Sequence, residues 1–393
     1  VSGTDLESSW PSDDVPLMIR AADGTERLVA HELSDLGFHW ERSGRGGLLT
    51  TASWEGALRI ALWSQVGTRV LVELGSGPAW DQAELYRTVS RVPWEAWLGR
   101  SSTFAIDASG GNETLRTRVF VAQKAKDAIA DRLQRKWGSR PDVDRYDPDL
   151  LVVVHVDGDH VWLGLDLVGH SLHRRGYRAE AGVAPLRETL GAAMVFASHW
   201  DLRQAFVDPM CGSGTIAIEA AMLAHRVAPG LRLRPAACRW APVGQHVRQA
   251  WSRLVEQAHG LRVPPNEAPP IFASDRDPHM VDLARENARR AQVADVIQFH
   301  TAPVSTCPVP PGPSVWVTNP PFGERLADEQ LAMMALKELA QRQRKLPGVA
   351  LVLLPTANLE MARTAGIEGK VVAKLKNGPI PCVLLRIELV SET

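Results

Sequence analysis

Short apolar runs alternate with amphipathic segments along most of the chain, and the character of that alternation changes near residue 176. Leu28, Val29, Leu33 and Leu36 recur at helical spacing and predict a helix over 25–36, with Gly37 in the left-handed position that ends many helices. A glycine-rich turn over 43–47 leads to a short strand at 48–51, a second helix over 54–64 and a strand over 69–74. A further unit begins with Trp94, Trp97 and Leu98, which precede a strand over 103–108 and an amphipathic segment over 113–137. Strands over 150–156 and 160–166 are joined by Asp157-Gly158-Asp159, a tight hairpin signal. Both units read as α+β.

Beyond Gly176, short buried strands at 205–207, 271–274, 296–299, 314–318 and 349–354 alternate with helices at 186–198, 215–224, 278–291 and around 331–346. This order predicts an α/β domain with a doubly wound, mostly parallel sheet. The expected organisation is a tail over 1–14, small units over 15–75 and 76–175, and the α/β domain over 176–393. The series is interrupted by a long Arg-rich stretch over 229–270 and a proline cluster over 303–313.

Composition narrows the picture. With 393 residues, 45% hydrophobic and 23% charged, the chain is a globular protein of two or three domains, not a disordered, collagen-like or coiled-coil one. Four scattered cysteines, Cys211, Cys238, Cys307 and Cys382, lack metal-ligand spacing, so no metal site is expected and a reducing cytoplasm fits. The N-terminal stretch has no apolar run resembling a signal peptide, and the longest apolar run, 349–354, is far short of the roughly 20 residues that span a bilayer, so no membrane partner is expected.

The formal charge of −1 conceals clustering. Between Arg226 and Arg253 lie six arginines and no carboxylate, and this block includes Arg232, Arg234 and Arg239. With Trp240 and Trp251 interleaved it suits phosphate contacts and base stacking, or else forms a solvated loop. Arg174, Arg175 and Arg178 form a second cluster. A row containing Lys124 and Lys126 is a third, which serves equally as a charged helix face.

Three constellations carry chemistry. Asp208-Pro209-Met210-Cys211-Gly212-Ser213-Gly214-Thr215 joins a buried strand to a helix, so it is either a tight βα turn or a loop that lets a ligand approach the backbone and the helix N-terminus. One strand later, Asp275 stands where a carboxylate can accept two hydrogen bonds from a ribose diol, while Asp277, before Pro278, suits a helix N-cap. Asn319-Pro320-Pro321-Phe322 follows the strand at 314–318 and is the most specific signal. The prolines fix the backbone, leaving the Asn319 side chain and the Pro320 carbonyl as acceptors for an exocyclic amino group beside an aromatic ring.

In this order these motifs resemble the class I S-adenosylmethionine-dependent amino-methyltransferases. His173-Arg174-Arg175-Gly176-Tyr177-Arg178, Ala184-Pro185-Leu186-Arg187-Glu188-Thr189-Leu190, Glu219 through Ala224, Asn319 through Leu326, Lys376-Asn377-Gly378-Pro379 and Lys124 through Ile129 extend the resemblance to the THUMP-containing bacterial 23S rRNA guanine-N2 methyltransferases. The resemblance implies a Rossmann-like methyltransferase domain preceded by ferredoxin-like and THUMP units that present RNA. It implies S-adenosylmethionine as cofactor, with Asp208 through Thr215, Asp275 and Asp277 around it and Glu188 and Thr189 beside it. Asn319, Pro320 and Phe322 would position guanine. The family's adenine-contacting Asp is matched here by Pro303, so that contact is expected from the backbone or from Ser305. Many relatives continue into a further methyltransferase module, and with the sequence ending at Thr393 that second activity is not expected from it. The competing functions are a tRNA guanine-N2 methyltransferase, a DNA adenine-N6 methyltransferase, and an RNA-binding protein with a decayed cofactor pocket.

Overall fold

The structure is a computed structural model that describes residues 14–43, 46–178, 186–321, 326–343 and 347–389. Most of the expected tail, residues 1–13, lies outside the described residues.

The first unit contains β1 (Asp14–Arg20), α1 (Glu26–Asp35), β2 (Glu41–Ser43), β3 (Gly47–Ser53), α2 (Trp54–Trp63) and β4 (Arg69–Pro78). α1 ends as its sequence predicts: Gly37 has φ +81°, and the backbone N–H groups of Gly37 and Phe38 satisfy the carbonyls of Ser34 and Leu33. The second unit contains α3 (Gln82–Arg91), α4 (Trp94–Trp97), β5 (Thr103–Gly111), α5 (Arg118–Trp137), β6 (Asp142–Val143), β7 (Leu150–Asp157) and β8 (His160–Asp166). α3 was not anticipated, although its signals are present. The Asp81 carboxylate caps it by accepting from Ala83 and Glu84 N–H, and Leu85 and Val89 are spaced to share its buried face.

The two units share one eight-stranded sheet, in the order β2-β3-β1-β4-β8-β7-β5-β6. The ten-residue β4 makes this possible: one edge pairs with β1 and the other with β8, both antiparallel. The expected division at 75/76 therefore falls inside a strand. A single apolar core runs beneath both units.

The third unit contains α6 (Glu188–Ala197), β9 (Ala205–Asp208), α7 (Thr215–Ala224), α8 (Gly244–Gly260), β10 (Ile271–Asp275), α9 (Pro278–Ala291), β11 (Ile297–Thr301), β12 (Ser314–Thr318), α10 (Leu326–Gln343), β13 (Gly348–Pro355), α11 (Leu359–Thr364), β14 (Lys370–Asn377) and β15 (Ile380–Leu389). Its sheet order is β11-β10-β9-β12-β13-β15-β14. Strands β9 to β13 run parallel, with cores packed on both faces. The antiparallel pairings of β15 with β13 and of β14 with β15 complete the sheet. The chain winds outward from β9 to β11 and then returns to place β12 on the other side of β9. A topological switch point therefore lies between β9 and β12, where open α/β sheets bind their ligands.

The Arg-rich stretch is neither a solvated loop nor a stacking surface built on Trp240. α8 buries Val247, Ala250, Leu254 and Ala258 in the N-terminal core. Trp240 is buried edge-on between Trp54 and Trp97, with ring centroids 6.2 and 5.7 Å away, and its Nε1 donates to the Asp149 carbonyl. Two of its arginines are spent at home: Arg239 pairs with Asp147 and Asp149, and Arg253 with Glu55. Burying two indoles against a third gives more apolar area than base stacking on one exposed ring.

A buried polar knot fixes the linker against both the first and third units. Arg175, only 2% exposed, donates to the carbonyls of Ser64, Leu172 and Gln65 and pairs with Glu219 of α7 at 3.4 Å. Tyr177 donates to the same carboxylate, and Glu32 of α1 accepts from Ser64 Oγ and from the N–H groups of Gln65 and Val66. Burial raises the Glu32 carboxyl to about 7, against the pull of the Gln65 N–H, the Ser64 hydroxyl, the Val66 N–H and the Arg175 charge. Such a group binds its proton more tightly when folded. Its contribution to stability is complete below the ordinary carboxyl value of 4.5 and is lost as pH rises through about 7. Glu32→Gln is expected to gain on the wild type as pH climbs across that window, read from urea midpoints at a series of pH values. Parallel profiles for the two proteins would remove Glu32 as the cause.

Candidate active site

The glycine loop is built by local constraints. Gly212 and Gly214 have φ of +51° and +86°, a region costly for residues with a Cβ. At Gly214 a Cβ would also stand 3.0 Å from that of Ala284, so α9 packs directly on the loop. Cys211 N–H donates to the Ser274 carbonyl, and the Asn287 amide donates to the Ser213 carbonyl at 2.9 Å. Asn287 escaped the sequence reading. Its only signal is a polar residue on the buried face of α9, among Val281, Ala284 and Ala288. Met210 packs on the core that contains Val207, Val304 and Trp316, while burial pushes the Cys211 thiol up, leaving it protonated. The α7 N-terminus begins at Thr215 with Gly214 as its N-cap and no side-chain cap.

Asp275 holds this loop from the next strand: its Oδ2 accepts from Gly212 N–H at 2.9 Å and its Oδ1 from Asp277 N–H at 3.0 Å. Each oxygen keeps a lone pair for a further donor. Asp277 caps α9 through His279 N–H at 2.9 Å, the capping role open to it in the sequence. Glu188 and Thr189 are buried in the first turn of α6. Glu188 pairs at 2.6 Å with Arg178, which also reaches Thr215 Oγ1 at 3.1 Å and the Leu186 carbonyl.

Several buried polar side-chain atoms at the site make no hydrogen bond with the described residues: both Asp208 oxygens, Ser274 Oγ, His300 Nε2, Thr318 Oγ1 and Asn319 Oδ1. All lie at, or one residue from, the C-terminal ends of β9, β10, β11 and β12. Leaving such groups unpaired costs about 1–3 kcal/mol each, so their gathering at one edge marks a place built for a polar ligand. Burial raises the Asp208 carboxyl to about 8, and the Asp275 charge adds to the rise. Pro320, buried behind Asn319, has no N–H to offer, whereas Phe322 lies outside the described residues. At the proline cluster, Ser305 N–H donates to Glu338 and the Pro303 carbonyl accepts from Thr306 N–H, so both are engaged locally.

The cationic candidates separate into two groups. Arg175 and Arg178 are spent in internal pairs, the first in the knot and the second between α6 and α7, which corrects their expected RNA role. A guanidinium already meeting buried acceptors cannot turn outward without leaving them unpaired. Lys126, Arg174, Arg232, Arg234 and Arg239 converge on one groove, and Lys124 lies over the Phe120 ring.

Fold and site together define a methyltransferase of the class I kind: a doubly wound sheet with a glycine loop after its first strand, an acid after its second, and Asn-Pro-Pro after its fourth. Residues 175–386 match the RMKL-like methyltransferase domain family, 81–166 the THUMP domain and 16–71 the RlmL ferredoxin-like domain. The chain belongs to the RMKL-like methyltransferase family. It is 37% identical over 383 residues to the ribosomal RNA large subunit methyltransferase K/L of Syntrophotalea carbinolica, covering 95% of this chain and 53% of that protein. The chain thus spans about half the length of the curated relatives it matches. Among solved structures, the putative methyltransferase SMU.472 complexed with SAH superposes with a TM-score of 0.84 at 26% identity, covering 98% of this chain and all of that one. A predicted N6-adenine-specific DNA methylase from Listeria monocytogenes superposes at 0.81 with 28% identity, covering 94% and 96%. The cofactor of such a domain is S-adenosylmethionine, and the unpaired polar atoms at the strand ends fit a ligand rich in donors and acceptors.

Proposed function

We propose that the chain is an RNA methyltransferase acting on the exocyclic N2 amino group of a guanine in 23S rRNA. The single observation that carries the reading is Asn319: its Oδ1 is buried and, among the described residues, unpartnered at the switch point, immediately before the buried Pro320. Two acceptors there, this oxygen and the Pro320 carbonyl, take the two amino hydrogens and turn the nitrogen lone pair out of conjugation with the base.

The proposed cofactor, S-adenosylmethionine, supplies an electrophilic methyl on sulfur. The glycine loop, the open α7 N-terminus, Asp208 and Asp275 would hold it, with Glu188 and Thr189 alongside. As the new N–C bond forms and the S–C bond breaks, the amino nitrogen becomes acidic and its proton leaves to water, so no strong base is required. Because a paired guanine hides its N2, the base is read flipped out or unpaired. The ribosomal RNA named for the relatives favours rRNA over tRNA, and the THUMP unit favours RNA over DNA. Among the described residues no helix is long and apolar enough to cross a membrane, and the proposed RNA substrate favours a cytoplasmic location.

The test is nucleoside mass spectrometry with position mapping on 23S rRNA and tRNA from cells lacking the protein, before and after treatment with it and S-adenosylmethionine. Restoration of one N2-methylguanine in 23S rRNA is expected. Methyl transfer confined to tRNA or to DNA adenine would replace the reading, and no calorimetric binding of S-adenosylmethionine at millimolar concentration would end it in favour of a non-catalytic RNA binder.

A further inference from the structure

A groove of about 870 Å³ lies on the THUMP unit, the linker and the inserted stretch, away from the glycine loop. Its lining carries seven Lys or Arg residues against two carboxylates, Asp107 and Asp147. Arg69 is committed to Asp107 and Asp166, and Arg239 to Asp147 and Asp149. Arg145, Arg174 and Arg234 pair with no carboxylate among the described residues, so three guanidinium groups from three segments face one space. On the same wall, burial and then the charges of Arg187, Arg174, Arg175 and Arg178 drive the His173 imidazole down to about 4.

The groove is not purely electrostatic. Tyr146 is 98% exposed, and Val119 and Val143 are exposed beside it. The loop bearing Tyr146 is anchored at both ends. Asp144 accepts from the N–H groups of Tyr146 and Asp147, and Arg239 grips Asp147, the Pro148 carbonyl and Asp149. An aromatic ring held out from a pinned loop is preorganised, so a ligand stacking on it spends little on ordering.

We propose that this groove binds an unpaired RNA strand, with Tyr146 stacking on one base and Arg145, Arg174 and Arg234 holding phosphates. A duplex hides its base faces and offers phosphates and 2′-hydroxyls, which would leave the tyrosine and valine wall unmatched. An unstacked strand satisfies both walls. The proposal rests on the reading above only for the chemical class of the partner.

The test uses the whole chain and a fluorescein-labelled 10-mer RNA of mixed sequence, single-stranded or annealed to its complement, with anisotropy followed over a salt series. The single strand is expected to bind more tightly. Tyr146→Ala should weaken it by about 5- to 150-fold with Tyr146→Phe retaining affinity. Replacing Arg145, Arg174 and Arg234 together by Gln should lower the salt slope by about 2. Tighter duplex binding, equal competition by polyglutamate, or affinity unmoved by these variants would overturn the proposal. Calorimetry with S-adenosylmethionine runs in parallel on every variant and is expected to be unchanged. A groove that binds the strand in a protein that methylates no RNA separates this proposal from the catalytic one.

Discussion

Replacing Asn319 by alanine is expected to lower the rate of methyl transfer by at least about 10²- to 10³-fold while S-adenosylmethionine binds with unchanged affinity. The asymmetry follows from where the side chain stands. Its Oδ1 is buried and, among the described residues, unpartnered beyond the end of β12, whereas the loop held by Asp275 and Asn287 joins β9 to α7. Removing an acceptor for an amino hydrogen leaves the nitrogen lone pair in the ring system and unreactive, but leaves the glycine loop intact. Asn319→Asp keeps an acceptor oxygen and is expected to retain more activity than alanine. Single-turnover rates with tritiated cofactor, set beside calorimetry, make the comparison. Wild-type turnover by the alanine variant would remove Asn319 from the chemistry, and loss of cofactor binding would make it part of the cofactor site instead.

The second large effect is on stability. Arg175→Met is expected to destabilise the protein by about 3–5 kcal/mol, because it strands the Glu219 carboxylate and three carbonyls in a region closed to water. Lysine cannot rescue it, since one ammonium group cannot reach acceptors on three segments in the planar fork that arginine provides. Removing both charges, as Arg175→Met with Glu219→Leu, should recover much of the loss. Urea denaturation followed by tryptophan fluorescence reads all three variants, and an Arg175→Met protein within 1 kcal/mol of wild type would show the knot to be dispensable. Glu219 lies on α7, whose first turn follows the glycine loop, so the variant should also weaken cofactor binding.

The elements legible along the chain were those whose own residues carry the signal. α7 and α9 were bounded at 215–224 and 278–291 by Gly214 and by Asp277 with Pro278, and β12 by its apolar run. β14 and β15 were missed because β14 is an exposed, lysine-bearing edge without clean alternation, stabilised by pairing with β15. The motif at Lys376–Pro379 was noticed, but not that Gly378, at φ +61°, turns a hairpin there.

The amino-acid sequence by itself determined the parallel sheet of the third unit, its glycine loop with the acid that follows, and the place of the Asn-Pro-Pro motif at the end of β12, because backbone conformation and local hydrogen bonding are set by residues a few positions apart. The fate of the charges was decided only by the tertiary structure. Arg174, Arg175 and Arg178 read alike in sequence, yet the first faces the groove, the second lies in the knot and the third is spent on Glu188. Trp240 read as a stacking surface and is core. A charge or a ring takes its role from partners distant along the chain, such as Ser64 and Glu219 for Arg175 or Trp54 and Trp97 for Trp240, and those partners meet only when the sheets are packed.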